Sequence, residues 1–231
     1  MLLETEKKLV QGGALVLMVL QAALVVSSYV IASNEGYLEM PKIYLSSAFR
    51  RDPARSVAGF LLPLSAYILG SIMAHRLYRI SFFLRNAGDE GIYYACILGT
   101  ILAVVGMVGV AAVSLDVSKS IHWVAAAVLF FSSVAVMIGF SVLDERLRVS
   151  RPEWLRIVRI SLTVLSSLSL VGMGVSSFFS YFAGSIFELI LAFLLIAYLV
   201  SLTHVSSFPI VCLDKTPRSP RPNGRSEHDG L

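Results

Sequence analysis

The chain has 231 residues, of which 56% are hydrophobic and only 15% charged, and its formal net charge is +4. Soluble domains carry about a quarter charged residues, and no water-soluble fold of this length hides so much apolar surface. A soluble globular domain is therefore excluded in favour of an all-α membrane protein, and the modest basic excess is no nucleic-acid signal.

Leu9 to Ala32 is the first apolar run, and Lys7 and Lys8 precede it. About 20 apolar residues cross a bilayer, whereas a secretory signal has an apolar core of roughly 7–15. The run therefore reads as an uncleaved first span. A polar loop follows, from Ser33 to about Arg55, with two prolines, a serine pair and clustered charge. The second span is expected over 57–77, with Pro63 inside it; a kink there is tolerated in a helix bundle. Arg76, Arg79 and Arg85 mark the next joint, and Asn86 to Asp89 carries a turn signal. The third span is expected over 93–114. Its Gly99, Gly106 and Gly109 point to close helix packing in lipid.

A short joint from Asp116 to Ser120 leads to the fourth span, 121–142. Asp144 to Arg159 reads as a charged joint, in which Pro152 suits a helix start and Trp154 suits the membrane interface. The fifth and sixth spans are expected over 160–179 and 184–202, separated by a very short joint around Tyr181. Residues 1–204 thus form a six-span membrane domain, and 205–231 has the composition of a disordered tail.

Fourteen Lys and Arg fall on the side that holds the N-terminus, the second and fourth joints and the tail; five fall on the other. The positive-inside rule then puts both termini in the cytosol and the opening loop in the lumen or outside.

No enzyme motif stands in the chain: there is no His-Glu-x-x-His, Cys-x-x-Cys, Gly-x-Ser-x-Gly or phosphate loop. Two cysteines and four histidines are too scattered for a metal site, and no catalytic residue or cofactor is expected. Three polar residues stand out at the outer ends of spans: Asp116, His122 and Glu188. An ionisable group at membrane depth is costly, and is paired or functional. A His122–Glu188 contact would clamp the fourth helix to the sixth, or form a lipid-headgroup or proton-linked site. Arg146, Arg148 and Arg151 serve as topology anchors or as contacts for anionic lipid headgroups. Cys212, just past the last span, is a candidate for palmitoylation, and Thr216-Pro217 and Ser219-Pro220 are candidates for phosphorylation.

Met40-Pro41, then Tyr44-Leu45-Ser46-Ser47, Asp52-Pro53 and Phe60 stand in order in and after the opening loop. Lys119-Ser120-Ile121-His122 opens the fourth span, and Ser185-Ile186-Phe187-Glu188 heads the sixth. Their joint order and spacing resemble the Frag/DRAM/Sfk family of six-span proteins. That family often has an acid after the serine of the first loop; here Ser47 and Ala48 follow. It includes damage-regulated autophagy modulators, Sfk-type plasma-membrane proteins and a GPI-anchor-remodelling branch with the amino-terminal part of Cwh-type proteins.

The resemblance implies a non-catalytic integral membrane regulator or scaffold in autophagy and lysosomes or in phosphoinositide and membrane-lipid organisation. Its expected home is an endomembrane (lysosome, Golgi or ER) or the plasma membrane. Its expected partners are membrane lipids and an unnamed protein, with no nucleic acid. A GPI-lipid-remodelling factor and a small-solute or lipid transporter are the alternatives; the chain shows no convincing internal repeat of the transporter kind.

Overall fold

In the computed structural model, residues 2–36, 52–84, 87–113, 116–147 and 152–203 are described. They form six helices and no strand: α1 (Leu2–Asn34), α2 (Ala54–Ser81), α3 (Ala87–Ala112), α4 (Lys119–Arg146), α5 (Glu153–Phe179) and α6 (Tyr181–Thr203). All six are long and apolar enough to cross a membrane. Backbone groups in lipid must be satisfied within the segment, and helices of this length do that.

The helices match the expected spans in number and order but overrun them. α4 continues to Arg146 and α5 begins at Glu153, so most of the expected charged joint is helical. Pro63 lies inside α2, which continues through it to Ser81. Ser118 caps α4 by accepting a hydrogen bond from the Ile121 amide. α5 and α6 are separated by Ser180 alone, an extended residue whose hydroxyl accepts from the Ala183 amide at 3.3 Å.

Sequence neighbours pack together most closely: α1 on α2, α2 on α3, α3 on α4, and α5 on α6. α6 closes the bundle against α1, while α4 meets α6 sparingly. The α3–α4 seam is the tightest, and glycine makes it so. A methyl group at Gly106 would lie 2.6 Å from the Leu129 amide nitrogen and 2.9 Å from the Ala125 carbonyl oxygen. Gly99 faces Val136 in the same seam, and Cys96 packs on Gly139.

One apolar core lies toward the end of the bundle that the basic-residue count assigns to the cytosol. Leu77 and Ile80 of α2, Phe140 and Leu143 of α4, and Tyr198 and Leu202 of α6 meet there. A second joins α1 and α2 at the opposite end through Leu24, Ala32, Ala58 and Leu62. A third joins α4, α5 and α6 through Phe130, Leu170 and Leu191. Large apolar side chains such as Val105, Phe131, Leu168 and Phe193 are exposed, as lipid-facing residues are. Trp123 and Trp154, exposed near opposite ends, suit the two interfaces.

Candidate functional site: a central cavity and a buried charge lock

Two polar features lie inside the bundle. The first is a partly open cavity of about 110 Å³, bounded by α1, α2, α3, α4 and α6. Sixteen of its twenty-two lining residues are apolar; the polar ones are Gln21, Thr100, His122, Ser133, Glu188 and Tyr198. Along α4 the lining runs from His122 to Met137, which at 1.5 Å per residue is about 22 Å. The cavity is thus a slender slot along the helix axes.

His122 and Glu188 face this cavity from α4 and α6 at the end away from the termini. Both are buried, His122 to 3% exposure and Glu188 to 7%. They lie about 5 Å and about 10 Å inside the starts of their helices, counting residues at the α-helical rise. His122 is held by its own helix entry: Nδ1 lies 2.6 Å from the Val113 carbonyl oxygen. A carbonyl only accepts, so Nδ1 carries a proton and donates. In the neutral ring that leaves Nε2 as a bare acceptor, and it has no hydrogen-bond partner among the described residues. The Nδ1 hydrogen bond of His122 therefore runs to backbone, and the ring and Glu188 line the same cavity. Glu188 also lies within electrostatic reach of Tyr29 on α1. Asp116 is exposed in the turn between α3 and α4, before the helix begins at Lys119.

The second feature lies at the opposite end. Asp144 of α4 is 1% exposed, and its carboxylate bridges two arginines. Oδ1 accepts from Arg76 Nη2 on α2, and Oδ2 accepts from Arg159 Nη1 on α5 at 2.8 Å. Arg159 then reaches α6, donating from Nη2 to the Ser201 carbonyl at 2.7 Å and from Nε to the Ser201 hydroxyl at 3.3 Å. Four helices are tied at one point. Three charged groups within membrane helices are tolerable because both guanidiniums share the one carboxylate and the fork geometry of arginine places two donors at once. Tyr198 lines the cavity, and its hydroxyl donates to the carbonyl of Met137, another lining residue, at 3.1 Å.

By sequence Arg76 and Arg159 count as topology charges at the joints; the structure corrects this. Both sit inside helices and are buried, at 5% and 1% exposure. The signal that was present is Asp144, an acid directly after an apolar run with arginines at the matching ends of two other spans. Arg146 differs: its side chain is about half exposed and stands 3.5 Å from Asp89 of α3. Arg156, half-buried, links Glu145 and Glu153 at 2.9 Å each across the α4–α5 joint. Asp52 and Pro53 immediately precede α2, and the Ser56 hydroxyl donates to Asp52 at 2.7 Å. Pro41, Tyr44, Ser46, Ser47, Arg148, Arg151 and Cys212 lie outside the described residues.

Six membrane-length helices, glycine-packed seams and buried polar groups sealed inside them define a polytopic helical membrane protein. The family described as Frag1/DRAM/Sfk1/Cwh43P N-terminal domain matches residues 13–204, all six helices included apart from the first turns of α1. The chain belongs to that family. Comparison with individual curated proteins and with solved structures gives no match.

Proposed function

We propose that the chain is a non-catalytic membrane regulator or scaffold of the DRAM/Sfk type that acts on membrane lipid, in an endomembrane such as the lysosome or in the plasma membrane. The observation that carries this reading is the apolar slot with His122 and Glu188 at one end. A soluble solute would have to shed its water to enter such walls, whereas a lipid matches them. The buried Asp144 lock supports a rigid scaffold, since it joins α2, α4, α5 and α6 at one level. Exposed Arg146, with Arg148 and Arg151, supplies contacts for anionic headgroups on the cytosolic leaflet.

The test is lipid analysis of cells lacking the protein, combined with its localisation. A shift in phosphoinositide or neutral-lipid content of the compartment that holds the protein is the expected result. Unchanged lipid in that compartment would overturn the reading. GPI-lipid remodelling is the second reading, favoured by an imidazole and a carboxylate facing one cavity, a pairing suited to acid–base chemistry. It requires altered lipid chains on GPI-anchored proteins in the same cells.

A further inference from the structure

We infer that the cavity is a binding site for a hydroxyl-headed, phosphate-free lipid, whose hydroxyl donates to His122 Nε2 beside the Glu188 carboxylate and whose first carbons enter the slot. The inference rests on the lipid-directed reading above and names the lipid's chemistry.

Four observations carry it. First, His122 Nε2 is an acceptor without a partner among the described residues, and the residue is only 3% exposed. A buried polar atom left unsatisfied is destabilising, so a donor belongs there. Second, Glu188, on the facing helix, adds a carboxylate to the same cavity. The hydroxyl's one proton goes to His122 Nε2, and its oxygen still accepts from a further donor. Third, the carboxylate repels a phosphate, so a phospholipid headgroup is selected against. Fourth, sixteen of the twenty-two lining residues are apolar. Apolar cavities stay dry, which disfavours a water-filled proton path and favours methylene groups. At about 110 Å³ the space is smaller than the roughly 150 Å³ void that admits benzene. It therefore takes the head and adjoining carbons, and the rest of the chain leaves by the open side.

The test uses the purified full-length protein in detergent, with a diacylglycerol carrying a diazirine in one acyl chain. The matched phosphatidic acid, with identical chains, is the comparison. Saturable diacylglycerol labelling of α4 and α6 peptides is expected, at least fivefold above phosphatidic acid. His122→Phe should lower labelling at least fivefold. Ala126→Leu, one turn further along α4, should do the same by filling the slot without touching the polar groups. Glu188→Gln, which removes the repelling charge, should raise phosphatidic acid labelling toward that of diacylglycerol. Helix content and monodispersity establish that each variant is folded.

Absent or non-saturable labelling would overturn the site, as would equal labelling by the two lipids. Labelling unchanged in both His122→Phe and Ala126→Leu would also overturn it. Failure here is separable from failure of the proposed function. Labelling as expected with unaltered cellular lipid removes the lipid-organising role and keeps the site; altered cellular lipid without labelling does the reverse.

Discussion

Asp144→Ala should be the most damaging single substitution among the buried polar residues. The carboxylate is 1% exposed and holds Arg76 on one oxygen and Arg159 on the other. Alanine removes it and leaves two guanidinium groups inside the bundle without the acid they share. Breaking one buried pair by deleting a partner costs about 3–5 kcal/mol, and here one deletion breaks two. Asp144→Asn keeps one acceptor oxygen but turns an amide donor toward the other arginine. It should lose about 1.5–3 kcal/mol, the range for a hydrogen bond to a charged group. Replacing all three members by similar-sized apolar residues, with Arg76→Met, Asp144→Leu and Arg159→Met together, should recover most of the loss, because no charge then remains at this point. The assay is reversible unfolding of the purified protein in mixed micelles, with the order wild type, asparagine, alanine. An alanine variant within about 0.5 kcal/mol of wild type would refute the reasoning, since that is the range of an ordinary surface substitution.

Three further outcomes are expected. Gly106→Ala puts a methyl against the Leu129 backbone, which cannot yield as a side chain does; α3 and α4 must separate, at about 1–3 kcal/mol, seen as a lower unfolding midpoint. Gly12→Ala, where nothing lies within 4 Å, serves as the silent control. Tags at both termini should be cytosolic and a tag near Arg50 luminal or external, read by protease protection in sealed vesicles; a protected terminus would reverse the orientation. Joint change of Arg146, Arg148 and Arg151 to Gln should reduce co-purifying phosphoinositide while leaving tag topology intact, measured by mass spectrometry of extracted lipid.

Six membrane spans were legible in the residues because bilayer thickness demands about 20 apolar residues per helix, and little else in protein chemistry produces such runs. The α3–α4 seam was legible for a related reason: without a hydrophobic drive between helices in lipid, small residues mark where backbones meet. His122 and Glu188 were visible because an ionisable side chain within an apolar run has few harmless explanations. That they share one cavity was not visible, since it depends on how α4 and α6 are rotated about their own axes.

The charge lock was hidden more thoroughly. Arg76 and Arg159 occupy ends of apolar runs, where every membrane protein places basic residues for topology, and a long arginine there can either reach out to water or turn inward. Asp144 sits 68 residues from one partner and 15 from the other. Composition and periodicity decide which segments enter the membrane, because that depends on each segment's own transfer from water. Which face of each helix turns inward depends on its neighbours, and only the packed bundle brings a carboxylate from α4, guanidiniums from α2 and α5 and a carbonyl from α6 to one dry point.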